Sequence, residues 1–338
     1  PTDDQFDQWR RDQITNLVRK VYAKVQASKP HVKVSGSFVT WNPSPSASTR
    51  SAFMNTRPYG NRSDGVFSDW DAWMQEGIVD MAIPMTYYNY ASLPSDWTRW
   101  MNFQKDRKAN RHVYVGPGIY LNSLSYAILE IQQTRDTSPA GNKAEGFCGY
   151  SYRVPYSGGS WTNFSPQLVS QVTSTPATIP VMPWKTSPTK GHISGTVTYT
   201  DGSWADGAIV TLTGPETRSM YVDGTGFYAF IDITPGTYTV TARKTGYADA
   251  VGVVNVAIGS VTGNVYIKDL QLGGTTELII SDVQSSVTNT TATITWLTNL
   301  PATTQVEYGL TSSYGSSTTL NPTLVTSHSQ QITGLAPS

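Results

Sequence analysis

The chain has 338 residues with 24 basic and 24 acidic side chains, and its formal net charge of zero gives no general attraction to nucleic acid or to a membrane. This length is typical of two or three domains. The single cysteine, Cys148, excludes an internal disulfide and a cysteine-based zinc cluster. We predict that it is a small buried strand residue. The four histidines lack metal-ligand spacing, so the sequence predicts no metal and no other cofactor.

Charge and composition change along the chain. Through Lys185 there are 19 basic and 14 acidic residues, and after it there are 5 and 10. The first part is rich in tryptophan, whereas the second is rich in threonine, valine and glycine. This shift predicts a domain boundary near the segment VMPWKTSPTKG. No apolar stretch has the length of a membrane span.

The first 185 residues alternate between helical and strand patterns. The segment DQWRRDQITNLVRKVYAKVQASKP has apolar residues at three- and four-residue spacing, which predicts a helix ended by its proline. The apolar segment IVDMAIPMTYYNY predicts a buried strand. Alternation of strands and helices favours a parallel sheet with both faces covered. The predicted strands lie near residues 33–40, 78–87, 113–120 and 146–154.

Each predicted strand ends in aromatic and hydrogen-bonding residues. In a parallel β/α barrel the functional groups lie at the carboxyl ends of the strands. Aromatic rings stack on the C–H faces of sugars, and amide or guanidinium groups bind sugar hydroxyls, so this pattern favours a carbohydrate site. The predicted substrate-binding residues are Trp41, Asn42, Tyr87, Tyr88, Asn89, Tyr120, Tyr152 and Arg153.

A closed barrel of this type needs eight strands, and the pattern supplies four. We therefore predict that residues 1–185 form the C-terminal half of a (β/α)8 TIM-type barrel. Upstream sequence or another chain would supply the missing half, because apolar strand faces and unpaired edges are costly in water.

Several segments of this region resemble a known family. WRRDQITNLVRKVYAKVQASKPHVKVSGSF, DWDAWMQEGIVDMAIPMTYYN, YVGPGIY and VMPWK follow one another as in the second half of the glycosyl-hydrolase-like family ten barrels. These are bacterial cell-envelope proteins, some of them similar to hydrolases of peptidoglycan glycan strands. The resemblance implies an extracellular or cell-envelope location, a polysaccharide partner, and groove positions for Trp41, Asn42, Tyr87 and Tyr88. The acidic Phe-Asp-Asp-Tyr-type motif associated with the family is absent from this chain.

Local carboxylates give no convincing pair for glycoside hydrolysis, which needs two acids about 5–10 Å apart. Asp80 and Glu145 precede strands and lie at the structural end of the sheet. Asp64 in the long loop after Trp41 is a weaker alternative. The catalytic residues therefore stay unknown. Three further acids are expected on a surface helix, namely Asp69, Asp71 and Glu76.

The remaining sequence has short alternating strands with glycine, aspartate and proline turns, which predict β-sandwiches. Residues 190–273 resemble a carboxypeptidase-regulatory-like domain through GTV, DGTGFYAF and PGTYTVTARKTGY. Residues 276–338 resemble a fibronectin type III domain, with TITW and QVEYG carrying its core aromatics, and this second sandwich is expected to be incomplete. Such modules are commonly spacers or stalks.

Two functions are compatible with these patterns. The first is a secreted or envelope glycoside-hydrolase-like protein acting on or binding a polysaccharide, in which this chain alone is expected to be inactive. The alternative is a non-catalytic structural or adhesive surface protein with a glycan-binding or purely structural barrel. The nature of the residues on the missing strands would discriminate between them.

Overall fold

The computed structural model describes residues 4–60, 65–275 and 277–336. Its N-terminal region contains a four-stranded parallel sheet in the order β1-β2-β3-β4. The parallel pairing and the strand positions confirm the predicted helix-and-strand organisation, although the last strand has two residues. The strands are β1 Ser35–Val39, β2 Met81–Thr86, β3 His112–Pro117 and β4 Gly146–Phe147.

Helices precede, separate and follow these strands, as the alternating pattern requires. A 3-10 turn, Ile119–Leu121, follows β3. The helices are α1 Asp4–Ser28, α2 Arg50–Met54, α3 Trp70–Glu76, α4 Pro94–Asp106, α5 Leu124–Thr134, α6 Trp161–Gln171 and α7 Pro183–Thr186.

One face of the sheet is packed against the helices. Ala82 and Val113 on this face are fully buried among aromatic side chains from α2, α3 and α4. Phe53 stacks on Phe103 with ring centroids 5.5 Å apart and meets the edge of Trp70 at 5.1 Å. Each large aromatic side chain buried in this way stabilises the fold by roughly 1.5–3 kcal/mol, so these contacts fix the helices on the sheet.

The opposite face of the sheet is only partly covered by the described residues. Along β2, Met81, Ile83 and Met85 are partly exposed, while the alternate residues are buried. Ser37 and Val39 of β1 pair with Ile83 and Met85 and share this face. The expectation that both faces are covered is therefore wrong for the described chain. The apolar run on β2 packs on the helix side and leaves its other side half open.

The amino end of the sheet is held together by one buried carboxylate. Asp80 is fully buried and accepts hydrogen bonds from the Tyr22 hydroxyl at 3.1 Å, the Val34 amide at 2.7 Å and the Trp184 indole at 2.7 Å. The Lys185 ammonium lies 3.0 Å from the same carboxylate. Asp80 therefore joins α1, the start of β1, β2 and α7, which agrees with its predicted structural role.

The next region is a β-sandwich of two four-stranded sheets. One sheet has the order β10-β9-β6-β7, and in the other β5 pairs antiparallel with β8 and parallel with β11 and β12. Val197, Leu212, Val240 and other apolar residues of both sheets form a common core. The strands are β5 Gly191–Thr198, β6 Ile209–Thr213, β7 Thr217–Tyr221, β8 Phe227–Ile233, β9 Gly236–Arg243, β10 Ala250–Val256, β11 Val265–Ile267 and β12 Leu270–Gln271.

Strand β8 belongs to both regions. Tyr228 and Phe230 face the sandwich core, whereas Phe227, Ala229 and Ile231 join the core of the N-terminal region. Because side chains alternate along a strand, these two sets lie on opposite faces of β8. This explains why β8 is buried almost throughout. The two hydrophobic cores are therefore adjacent and lie on either side of this strand.

Polar contacts reinforce this junction. The buried Arg111 guanidinium donates to the Gly77 carbonyl at 3.0 Å and pairs with Asp232 of β8. His192 accepts a hydrogen bond from the Asp232 amide at 3.0 Å, and burial lowers its pKa to about 4. His192 is therefore neutral near pH 7 and acts there as a hydrogen-bond acceptor.

Residues 277–336 form a three-stranded antiparallel sheet, β13-β14-β17, and a two-stranded ribbon of β15 and β16. Trp296 is buried and stacks on His328 at 4.9 Å. The fibronectin type III resemblance stays a prediction. The strands are β13 Ile280–Val287, β14 Thr291–Thr304, β15 Glu307–Tyr308, β16 Ser316–Ser317 and β17 Asn321–Thr333. None of the helices in the described chain has the length and apolar character needed to cross a membrane.

We predict that Asp80→Asn destabilises the protein by about 3–5 kcal/mol, because it leaves the Lys185 ammonium buried without a counter-charge. Urea unfolding of the two proteins measures this difference. Asp249→Asn is the matched control, since Asp249 pairs with Arg243 on the surface and such pairs contribute about 0–1 kcal/mol. Equal losses in the two variants would contradict the role assigned to Asp80.

Candidate functional site

A groove of about 560 Å³ lies at the carboxyl ends of β1, β2 and β3. The parallel direction of the strands brings the residues that follow them to this one edge. The groove contains five of the eight predicted binding residues. Its lining includes Trp41, Asn42, Arg57, Met85, Tyr87, Tyr88, Leu93 and Tyr120.

Hydrogen bonds fix the loops that carry these side chains. The Tyr88 ring is buried, and its hydroxyl donates to the Thr40 carbonyl and lies 3.2 Å from the Asn42 side-chain oxygen. Asn122 is buried after β3, donates to the Tyr88 carbonyl at 3.0 Å and accepts from the Tyr90 amide at 2.7 Å. The three loops are thus tied together, and Tyr88 shapes the groove from beneath.

Three tyrosines form one wall. The Tyr87 ring stacks on Tyr150 with centroids 5.2 Å apart, and both rings meet Tyr120 edge-on at 6.1 and 5.7 Å. Burial raises the pKa of Tyr87 to about 12, so its hydroxyl stays protonated near neutral pH. A Cβ at Gly118 would lie 2.9 Å from the Tyr87 Cα. The close approach of β3 to Tyr87 therefore requires glycine there.

The opposite wall is formed by Trp41 and Arg57. The Trp41 side chain is 39% exposed, and the Arg57 guanidinium lies over its ring at 4.7 Å from the centroid. This arrangement places a cation beside an accessible aromatic face. Among the described residues, no aspartate or glutamate lines the groove.

Three predicted residues lie outside the groove lining. Asn89 donates to the Leu121 carbonyl at 2.9 Å and thereby joins two loops. Tyr152 is 81% exposed beside Trp161, and Arg153 is exposed next to it. The chain turns after β4, and the Tyr150 ring, rather than the Tyr152 ring, packs in the tyrosine wall.

Two regions of the chain match models of known protein families. Residues 1–135 match the family model described as glycosyl hydrolase-like 10. The segment contains β1, β2 and β3 and the lining residues from Val39 to Tyr120, but not Tyr150 of the tyrosine wall. Residues 192–273 match the carboxypeptidase regulatory-like domain. The predicted resemblances of the first two regions are therefore supported.

One curated relative is glycosyl hydrolase YngK of Bacillus subtilis, which is 31% identical over 122 residues. That match covers 34% of this chain and 22% of YngK. The N-terminal region is thus similar to about a fifth of a glycosyl hydrolase.

Solved structures give weaker likenesses. A DUF3823 family protein from Parabacteroides merdae has 15% identity and a TM-score of 0.21, covering 43% of this chain and 80% of that one. The major pilin SpaD from Corynebacterium diphtheriae has 14% identity and a TM-score of 0.26, covering 34% and 39%. Likenesses at these TM-scores carry no argument about function.

Two carboxylates of the glycosyl hydrolase-like region are less accessible than predicted. Asp69 and Asp71 are buried rather than on a surface helix. Asp71 accepts from Arg107 at 2.8 Å and lies 3.2 Å from Arg50, and Asp69 pairs with Arg50 at 2.6 Å. Both acids therefore neutralise arginines behind the sheet.

The other candidate acids also have structural partners or lie elsewhere. Glu76 pairs with Arg19 at 2.8 Å. Glu145 accepts from the Val113 amide at 2.8 Å and pairs with Lys108 at the amino end of the sheet. Asp64 lies outside the described residues.

The described residues contain no cluster of three or more His, Cys, Asp and Glu side chains that could hold a metal ion. Cys148 is exposed rather than buried, because β4 ends at Phe147.

Sequence reasoning did not single out Glu130. This residue of α5 is fully buried, and neither carboxyl oxygen has a hydrogen-bond partner in the described part of the chain. Burial raises the pKa of Glu130 to about 8, opposed by the nearby Asn122 amide. The helical periodicity of α5 could have identified Glu130, since it lies on the same buried face as Ala127 and Thr134. It does not line the groove.

We predict that the contribution of Glu130 to the free energy of unfolding falls as the pH rises from about 4.5 to about 8. The folded state holds the Glu130 proton over that window while the unfolded state releases it. Each pH unit costs about 1.4 kcal/mol at most. Glu130→Gln should match the parent protein at pH 5 and melt at a higher temperature at pH 8.5. Thermal melts across this range measure the effect, with exposed Glu307→Gln as control. A difference in melting temperature between the Glu130→Gln variant and the parent that does not change with pH would contradict the raised pKa of Glu130.

Proposed function

We propose that the groove binds a glycan strand in a secreted or cell-envelope glycoside-hydrolase-like protein. The observation that carries this proposal is the convergence of Trp41, Tyr87 and Tyr120 on one groove with amide and hydroxyl groups between them. Aromatic rings offer flat apolar faces for the C–H faces of sugar rings, while a few polar groups fix orientation.

Peptidoglycan glycan strands are the proposed substrate class. Their sugar rings offer C–H faces to Trp41, over whose ring the Arg57 guanidinium lies at 4.7 Å, and their hydroxyl and N-acetyl groups suit the Asn42 amide.

We also propose that the parallel sheet is the C-terminal half of a TIM-type barrel. Two observations support this: β1 pairs with β2 alone within the described residues, and the face carrying Met81, Ile83 and Met85 is half open. Further parallel strands beside β1, from upstream sequence or another chain, would cover that face and extend the groove.

In this proposal the acids of a glycosidase come from the added strands. The described groove supplies substrate contacts but no carboxylate, and two acids flank the scissile bond in most glycoside hydrolases. Residues 1–338 alone are therefore expected to lack hydrolytic activity. We further propose that the sandwich and the last module serve as spacers or stalks, the latter with a fibronectin type III-like fold.

Titration of the natural full-length protein with soluble glycan strands, followed calorimetrically, tests the groove. Trp41→Ala should weaken binding by roughly 1–3 kcal/mol, because it removes an aromatic anchor and the support beneath Arg57. Trp204→Ala is the matched control, since Trp204 is half exposed on the sandwich and outside the groove. Equal affinities of the Trp41→Ala variant and the parent would contradict the proposal.

The same titrations, combined with an assay for released reducing ends, separate the two candidate functions. Binding with cleavage by the natural protein supports the hydrolase. Binding without cleavage supports the non-catalytic adhesive or structural alternative, which the lack of carboxylates in the described groove favours.

A further inference from the structure

A second cavity, of about 710 Å³, lies where α1 meets the β-sandwich. One wall comes from the first turns of α1, including Trp9 and Asp12. The other comes from the sandwich, including Asp206 and Tyr221. We call this the seam cavity. It shares no lining residue with the groove at the strand ends.

The position of the two walls is fixed by an ion pair. Lys20 of α1 lies 2.7 Å from the Asp223 carboxylate, and its ammonium lies over the Phe227 ring at 5.0 Å. Asp223 also accepts from the Thr225 and Phe227 amides at 2.9 and 3.0 Å, which orders the turn before β8. The seam cavity is therefore held open by a defined geometry.

Two large aromatic side chains stand exposed in the seam cavity. Trp9 is 56% exposed and Tyr221 is 64% exposed. Phe6 stacks on Trp9 at 5.7 Å with an interplanar angle of 8°, and the Arg10 guanidinium lies 4.4 Å from the Phe6 centroid. Because Trp9 is supported in this way, binding to it would cost little side-chain ordering.

Amide and carboxylate groups surround the two aromatics. Gln13 and Asn16 line the same wall as Trp9, and Gln8 donates to Asp12 at 2.7 Å. Amides both donate and accept, and carboxylates accept. Flat aromatic faces bordered by such groups match a sugar, which has apolar C–H faces and hydroxyls at its rim.

The charge of the seam cavity selects among sugars. Asp12, Asp206 and Asp223 line it, whereas no lysine, arginine or histidine occurs in its described lining. Lys20 neutralises Asp223, and the Lys244 ammonium donates to the Asp206 carbonyl at 2.7 Å, so three acids face two adjacent cations. Excess negative charge disfavours acidic sugars and favours neutral or protonated amino sugars.

We propose that the seam cavity is a second glycan-binding site, specific for neutral or amino sugars. It would anchor a polysaccharide on the side of the molecule where α1 and the sandwich meet. The inference goes beyond the proposed function and does not depend on it, because the two sites share no lining residue.

The test uses the natural full-length protein carrying Trp41→Ala, so that the strand-end groove contributes little. Calorimetric titrations compare hexamers of N-acetylglucosamine, glucosamine and galacturonic acid, which are neutral, cationic and anionic. We expect the first two to bind and the third to bind at least roughly tenfold more weakly. Adding Trp9→Ala or Tyr221→Ala should weaken neutral and cationic binding by roughly tenfold.

Three comparisons make the result decisive. Trp204→Ala in the same background should bind as the parent does, and melting curves should show that every variant is folded. The double change Asp12→Asn with Asp206→Asn should selectively weaken the cationic hexamer. Failure of the neutral and cationic hexamers to bind, or unchanged affinity in folded Trp9→Ala and Tyr221→Ala variants, would overturn the proposal.

Discussion

The buried Asp80 carboxylate is the interaction on which the N-terminal architecture depends. It collects donors from α1, from the residue before β1 and from α7, segments that are far apart in sequence. A buried carboxylate is tolerated when its lone pairs are occupied and a counter-charge is near, and Lys185 supplies that charge. With the amino end of the sheet fixed in this way, the carboxyl ends of β1, β2 and β3 are aligned at the opposite edge.

Alignment of the strands turns a set of scattered aromatics into a groove. The loops after β1, β2 and β3 are joined by Tyr88 and Asn122, whose side chains donate to the backbone carbonyls of Thr40 and Tyr88. The groove is thus preorganised by contacts behind it, leaving Trp41 and Tyr87 to meet a ligand. The same molecule leaves the face of β2 that carries Met81 and Met85 half open, which is costly for apolar side chains in water.

Local patterns predicted the parallel strands and the aromatic strand ends because both follow from periodicity and strand direction. They failed where a residue far away in the sequence determines the burial or position of a side chain. Asp71 is buried because Arg107, 36 residues later, neutralises it. Tyr150 rather than Tyr152 reaches the tyrosine wall because β4 ends at Phe147. The seam cavity could not be predicted either, since it depends on α1 packing against a sandwich about two hundred residues later in the sequence.

The central proposal is that further strands, from upstream sequence or another chain, cover the open face of the sheet in the natural protein. Methionine oxidation by dilute peroxide, read by mass spectrometry, tests it directly. Met74 is buried and Met54 is exposed in the described chain, so they provide the protected and reactive references. We predict that Met81 resists oxidation like Met74 in the natural full-length protein and reacts in residues 1–338 alone. Oxidation of Met81 at the rate of Met54 in the natural protein would contradict the half-barrel account.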